Sequence, residues 1–544
     1  MRKTILMIVT TLFICIFNTY SSDLITTAES SAFTRTTLYE DVMAFLYEAQ
    51  RRSDQIKILK LTRSSEGRMI PLLVISREGI QSARELKIYR KPAVLVVANI
   101  HAGEVEGKEA SLMLIREIAT GNLNDILQNQ VLLMIPIFNA DGNDKLGPNR
   151  RDNGPERAGV RYNGQNLDLN RDYLKLESPE IRALVRLFRE WQPVLFVDMH
   201  TTNGSYHREP VTYTTLANPH SDPVLMDYMW NQLFPQVQKM LKETYGYDAI
   251  PYGNFVDRAD PNKGWRNHAF AALYGNNYGG LRNIFTILNE NYAYADFKTR
   301  VSASLGFIKS ILHYTNRHIH QMAEMSRQAD IRAREHYYKK NFVLDFKVEP
   351  LFDLTIKSYE FQKERIKPGD RHKYPSWIKD FIVKKTDRLK DYQVTYYAKA
   401  VPTRTLPLPE AYIILPHQDH IIENLKRHGI VVEKILKPFT ATVEHFIIDE
   451  VKPANRIYQG HVLIDIKGKY KTVETAIPPQ SHLVSMKQFL ARLIPELLEP
   501  EAAHCLLKWG YFNRIIVTQW GSRPGLYPVY RLPKIEMPIQ RFQE

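Results

Sequence analysis

The chain has 544 residues, of which 44% are hydrophobic and 24% charged, and it carries a formal charge of +14. These values exclude an intrinsically disordered or low-complexity chain, and the length exceeds one ordinary domain, so two or three are expected. The basic residues are dispersed rather than gathered in one tract, so no nucleic-acid partner is expected.

Arg2 and Lys3 precede a short apolar run, Ile5 to Phe17, followed by Ser21 and Ser22, the pattern of a cleavable secretory signal over residues 1–22. The run falls short of the roughly 20 apolar residues that span a bilayer. No transmembrane anchor is therefore expected after cleavage, and the mature protein is expected to be secreted or periplasmic. Bulky Leu12, Phe13 and Ile14 before Cys15 argue against lipid attachment. Cys505 is then the one cysteine left in the mature chain, which excludes an internal disulfide and zinc held by cysteine.

From about Thr36 onward, near-continuous apolar strands alternate with amphipathic helices. Helices are expected at Tyr39 to Arg51, Glu104 to Thr120, Pro179 to Trp191 and Pro223 to Tyr245. This predicts an α/β fold, a mainly parallel or mixed twisted sheet covered by helices on both faces, over residues 36–320. A long polar helix from about Ala303 leads out through a helical linker, 321–341. Beyond it the texture changes to short β-rich segments punctuated by turn residues, predicting a C-terminal β-rich α+β domain over 342–544.

Three of the apolar strands end on residues suited to a hydrolytic metal site. Pro92 to Ile100 runs into His101, with Glu104 three residues on; Pro193 to Met199 runs into His200; Ile284 to Asn289 runs into Glu290. Ligands in open α/β sheets bind at the carboxyl ends of strands. Two histidines and a glutamate suit zinc and leave a fourth position for water, and a further carboxylate can take that water's proton. The pattern names amide or ester hydrolysis as the reaction class. His417 and His420 form a comparable spacing, read as a surface turn.

The stretch Asn166-Leu-Asp-Leu-Asn-Arg-Asp-Tyr173 resembles the Asp-x-Asn-Arg element of the zinc carboxypeptidase family, the carboxypeptidase A-like metallopeptidases. So do His101-Ala-Gly-Glu104, the Pro136 to Gly142 turn and His200, in the family's order, over about residues 36–315. The resemblance implies one zinc ion per chain held by His101, Glu104 and His200, with Asp168 orienting the first histidine and Glu290 as general base. It also implies that Asn170 and Arg171 grip the substrate's terminal carboxylate. Arg150 most resembles the arginine that polarises the scissile carbonyl, with Arg151 in competition. Tyr274 and Tyr278 are both candidates for the substrate-capping tyrosine, and Tyr278 is carried forward. The run Gly275 to Gly280 is expected to floor the specificity pocket and offers no acidic or bulky apolar determinant.

The expected activity is thus that of a secreted metallocarboxypeptidase acting on a peptide or peptide-like substrate with a free carboxylate. An amidase or deacylase of the same fold, acting on cell-wall peptides or N-acyl amino acids, is the alternative enzyme. An inactive, enzyme-like binding protein is the alternative from another class. Oligomeric state is not set by the sequence.

Overall fold

The computed structural model describes residues 24–373, 380–516, 526–536 and 539–543. The expected secretory signal, Cys15 included, lies outside the described residues. Among the described residues no helix is long and apolar enough to cross a membrane.

The N-terminal region is an eight-stranded mixed sheet: β1 (Ile56–Arg63), β2 (Met69–Ile75), β3 (Ala93–Ala98), β4 (Val131–Ile135), β5 (Leu195–Thr202), β6 (Val211–Thr214), β7 (Ala249–Pro251) and β8 (Phe285–Tyr292), in the order β1-β2-β4-β3-β5-β8-β6-β7. The central strands β4, β3, β5 and β8 are mutually parallel, while β1, β2 and β6 pair antiparallel. β3 and β4 are buried at every position, because helices cover both faces and no face is left to alternate.

Helices α1 (Tyr39–Arg52), α2 (Glu106–Ala119) and α3 (Pro179–Trp191) stand close to where the sequence places them. α3 shows why: Ser178 accepts from the Ile181 amide, Pro179 occupies the first turn and Gln192 closes the helix in the left-handed region. The helix expected over Pro223 to Tyr245 is interrupted by a π-helical turn at Met229–Leu233, before α4 (Phe234–Tyr245). Pro235 in the first turn of α4 supplies no N–H and would clash with a regular preceding turn, and the wider turn absorbs both.

The Gly- and Asn-rich run is itself a helix, α5 (Gly275–Leu281). Its glycines let it lie against the sheet: a Cβ on Gly279 would stand 2.7 Å from Thr286 Cγ2, and one on Gly280 2.5 Å from Leu216 Cβ. α6 (Phe297–His336) is 40 residues long, and Ala329 and Ala333 near its end are fully buried.

The C-terminal region is β-rich, as expected. A long hairpin, β9 (Asn341–Arg365) with β10 (Phe381–Pro407), joins the short segments Asn254–Phe255 and Trp265–Arg266 in a four-stranded sheet. A seven-stranded sheet then comprises β11 (Ala411–Ile414), β12 (Glu433–Ile435), β13 (Phe439–Tyr458), β14 (His461–Ile477), β15 (His482–Ser485), β16 (Val529–Leu532) and β17 (Arg541–Gln543), in the order β14-β13-β16-β11-β15-β12-β17. Of its helices, α7 (Asp419–His428) closes on Gly429. The hydrophobic core runs without a break across position 342: Phe285 and Ile311 belong to the same buried cluster as Tyr412, Leu425 and Trp509.

Candidate active site

Strand register brings the site together. In the parallel pair β5–β8, Glu290 stands directly opposite His200, and Ala98 at the end of β3 stands opposite Met199. The chain leaving β3 therefore turns beside His200. Asn99 makes that turn in the left-handed region, which asparagine tolerates better than most residues, and its amide donates to the Ala102 and Glu104 carbonyls at 3.3 and 3.4 Å. Gly103 lies so close to the Gly159 carbonyl that a Cβ would sit 2.9 Å from it.

His101 Nδ1, His200 Nδ1 and the Glu104 carboxylate converge on one point. The two Nδ1 atoms are 3.2 Å apart, His101 Nδ1 is 3.1 Å from Glu104 Oε1, and His200 Nδ1 is 3.1 Å from Glu104 Oε2. All three residues are buried. Ligand atoms on a tetrahedral zinc with bonds of roughly 2.0–2.1 Å lie about 3.3 Å apart. Two nitrogen lone pairs and a carboxylate aimed at one buried point fit a divalent cation. Without one, at most one of the facing nitrogens can donate a proton to the other.

The outer ring nitrogens are treated differently. His101 Nε2 is hydrogen-bonded to Asp168 Oδ1 at 3.0 Å, which holds the proton on that nitrogen and leaves Nδ1 free to ligate. His200 Nε2 lies 3.0 Å from Asp198 Oδ2 without hydrogen-bond alignment. Glu104 Oε2 also accepts the Thr201 amide at 3.0 Å.

Electrostatics follow from this packing. Burial opposes ionisation of Glu104, but His101, His200 and Arg151 outweigh it and hold the carboxyl well below its usual range. Burial likewise opposes ionisation of Asp168, and His101, Arg161 and Arg171 hold it low. Burial would lower His200, yet Asp198 and Glu104 raise it well above the ordinary imidazole value. Glu290 goes the other way: burial, opposed by His200 and assisted by Glu104, pushes it up to about 8. Among the described residues its Oε2 is buried without a hydrogen-bond partner.

These groups line a cleft of about 320 Å³ that also takes in Arg151, Arg161, Asn170, Arg171, Tyr252 and Tyr274. Asn170 is fixed by the Gly275 amide, which donates to its Oδ1 at 2.8 Å. The Arg171 guanidinium lies 4.4 Å from the centre of the Tyr274 ring. Two expectations need correction. Arg150 is exposed and turned away, donating to the Lys145 and Ala158 carbonyls, whereas Arg151 reaches the cleft, its Nε donating to the Gly103 carbonyl at 2.6 Å and its Nη2 lying 3.4 Å from Glu104. Tyr278 is fully buried with its hydroxyl 2.8 Å from His428 Nδ1, because one turn of α5 carries it from the cleft into the core. Tyr274, just before α5, faces the cleft instead.

Sequence reasoning missed Arg161, whose Nε donates to Asp168 Oδ2 at 2.8 Å and whose Nη1 lies 3.4 Å from Glu104 Oε1. It sits in an irregular loop with no spacing signal, and its distance of seven residues before Asp168 was the one available hint. It also missed Glu106 and Arg300, a fully buried ion pair at 2.6 Å below the site. Arg300 further donates to the carbonyls of Asp152, Gly154, Ala293 and Ala295, tying the Arg151 loop to the chain leaving β8.

Part of the chain is similar to known carboxypeptidases. Residues 42–269 match the family model described as zinc carboxypeptidase. Carboxypeptidase 2 of Trichophyton rubrum is 24% identical over 485 residues, 86% of this chain and 81% of that protein. Human carboxypeptidase D is 29% identical over 129 residues, 20% of this chain and 9% of that protein. Among solved structures, carboxypeptidase A from Helicoverpa armigera is 18% identical with a TM-score of 0.39, over 54% of this chain and 74% of that one. A metallo-carboxypeptidase from Burkholderia cenocepacia is 16% identical with a TM-score of 0.38, over 52% and 70%. The likeness to the zinc carboxypeptidase family thus rests on residues 42–269, the stretch that holds His101, Glu104, Asp168 and His200.

Proposed function

We propose that this chain is a secreted zinc metallocarboxypeptidase that removes the C-terminal residue from peptides or peptide-like substrates with a free carboxylate. The observation that carries the reading is the meeting of His101 Nδ1, His200 Nδ1 and Glu104 beside Glu290, in one cleft with Asn170, Arg171 and Arg151. One zinc ion, held by His101, Glu104 and His200, would supply Lewis acidity to the scissile carbonyl and to water.

The chain's own residues do the rest. Glu290 accepts the proton of the attacking water and returns it to the leaving nitrogen, a task suited to a carboxylate whose pKa burial has moved toward neutrality. Arg151 approaches the carbonyl oxygen and stabilises the negative charge that develops there. Arg171 takes the terminal carboxylate, for which a planar guanidinium fork is matched, with Asn170 beside it. That contact makes the enzyme an exopeptidase. Asp168 sets the ring of His101, and Arg161 steadies Asp168. Residues 36–320 form the catalytic unit in this reading, and 342–544 a β-rich unit packed against it. Export rests on the N-terminal pattern over residues 1–22 alone.

A peptide-library digest read by mass spectrometry tests the reading. Single residues are expected to leave from free C-termini, to stay on amidated ones, and to stay on all when a chelator is added. Release from muropeptides but not from linear peptides would move the assignment to a wall-peptide amidase.

A further inference from the structure

The loop bearing Asp168, Asn170 and Arg171 is held by the C-terminal region. At its start, the Asp168 amide donates to Gln459 Oε1 at 2.7 Å, across 291 positions of sequence. Gln459 and Gly460 are the two-residue tip joining β13 to β14: Tyr458 pairs with His461, and the tip residues have φ of 51° and 78°. Both values are those of the mirror-image turn that two-residue hairpins favour. The hairpin thus delivers one side-chain acceptor to the backbone of the residue that orients His101.

Further along the loop the same region supplies more partners. Asn424 of α7 donates to the Leu174 and Lys175 carbonyls at 3.2 and 3.0 Å, and the Tyr511 hydroxyl donates to the Lys175 carbonyl at 2.9 Å. The Lys175 ammonium stands 4.3 Å from the centre of the Trp509 ring, and Glu177 Oε1 lies 2.6 Å from His461 Nε2. Leu174 and Lys175 are buried, so these donors satisfy carbonyls that water does not reach. Both carboxylate oxygens of Asp168 are engaged by His101 and Arg161, which leaves its backbone as the handle by which it can be set.

We propose that Gln459 is a positioning residue: it fixes the Asp168 backbone so that Oδ1 meets His101 Nε2 and the next turn presents Asn170 and Arg171 to the cleft. The C-terminal region thereby shapes the cleft of the catalytic unit it packs against. This rests on the roles given to those residues under the proposed function. The acceptor satisfies an amide that is buried, and the same bond fixes the residue that orients His101.

The test uses the full chain with Gln459→Asn and Gln459→Glu. Asparagine accepts the left-handed turn but is one methylene short of the Asp168 amide, whereas glutamate keeps an acceptor at the same reach. Zinc affinity is read by chelator competition, and KM and kcat on an N-acylated dipeptide with a free carboxylate. Gln459→Asn is expected to weaken zinc about tenfold, the low end of the effect of removing an outer partner of a metal ligand, and to raise KM. Its thermal midpoint is expected to stay within about 2 °C, because the loss of one hydrogen bond is set against the unfolding entropy of a 544-residue chain. Gln459→Glu is expected to return zinc affinity and KM toward wild type. Wild-type zinc affinity and KM in Gln459→Asn overturn the proposal, as does a loss in both variants that tracks a lowered midpoint. A wild-type chain that takes up no zinc overturns the functional reading, and this proposal with it.

Discussion

The cleft is built from two regions placed by different means. His200 and Glu290 stand near the ends of neighbouring strands, and His101 and Glu104 on the turn that leaves β3; their spacing follows backbone register, since once β5 and β8 pair, Glu290 and His200 must be side by side. Arg151, Arg161, Asp168, Asn170 and Arg171 stand on irregular chain between residues 147 and 177, placed by individual side-chain bonds. Arg300 anchors Asp152 and Gly154, Gly275 fixes Asn170, and Gln459 holds Asp168. A strand end fails only if the sheet fails, while a buttressed loop can be loosened one bond at a time. The strand-borne half carries the groups proposed for metal and proton chemistry; the loop-borne half carries Asn170 and Arg171, proposed to bind the substrate, besides Arg151 at the developing charge and Asp168 behind His101. Substitutions in the first should therefore strike turnover, and those at Asn170 and Arg171 affinity.

The sharpest separation is expected from Glu290→Gln. The amide keeps the size of the side chain but takes no proton, so kcat is expected to fall on the order of 10²–10⁴ with zinc still bound at one ion per chain. Metal analysis beside steady-state kinetics checks this, and full turnover in a zinc-loaded variant would remove Glu290 from the mechanism. Arg171→Ala is the loop-borne counterpart. Losing the partner of a charged, hydrogen-bonded carboxylate costs roughly 2–4 kcal/mol, or about 30- to 1,000-fold, in kcat/KM. The loss is expected mostly in KM, and an amidated substrate should lose nothing further. An equal penalty on free and amidated substrates would mean that Arg171 does not bind the carboxylate.

The same division explains what the sequence reveals. Strand-end residues were legible because a buried strand is a continuous apolar run and its end is marked by the first polar residue, as at Val97-Ala-Asn-Ile-His101. The loop-borne residues were legible only where they sit in a motif, as Asp168, Asn170 and Arg171 do. Arg151 and Arg150 are adjacent and chemically identical, and nothing local says which turns inward; the choice is made by the Gly103 carbonyl, 48 positions away. Gly275-Asn-Asn-Tyr-Gly-Gly is poor in helix formers, yet it folds as a helix whose glycines pack closely against Thr286 and Leu216 and which carries Tyr278 into the core. Gln459 has no local signal at all, since its partner lies 291 positions away.

A smaller effect, again on the strand-borne side, concerns pH. Glu290 has a folded pKa of about 8 against an ordinary value of 4.5. Between those values the folded protein keeps a proton that the unfolded chain has lost. The stability contributed by protonated Glu290 is therefore full below about pH 4.5 and is lost as pH rises through 8, at no more than about 1.4 kcal/mol per pH unit. His200, also raised, acts in the same direction. Metal-free protein is expected to lose urea resistance from pH 5 to 8, Glu290→Gln to flatten that loss, and zinc to reverse it by favouring the carboxylate. A slope unchanged in Glu290→Gln would assign the effect to the other groups that the fold raises, His200, Glu496 and Asp330 among them.

The smallest predicted effect separates two tyrosines four residues apart. Tyr274 lies over the Arg171 guanidinium at the cleft, and Tyr278 is hydrogen-bonded to His428 in the core. A cation–π contact is worth about 0.5–2 kcal/mol, so Tyr274→Ala is expected to raise KM about 2- to 30-fold by leaving Arg171 less well placed, with little change in kcat. Tyr278→Phe removes a hydroxyl from a buried pair and leaves His428 Nδ1 without it, so roughly 1–3 kcal/mol of stability should be lost while KM stays at its wild-type value. Measuring KM and the urea midpoint on both variants distinguishes the two cases. A KM change in Tyr278→Phe with none in Tyr274→Ala would mean that substrate draws α5 into another rotation, and the loop-borne half would then be set by the ligand as well as by its buttresses.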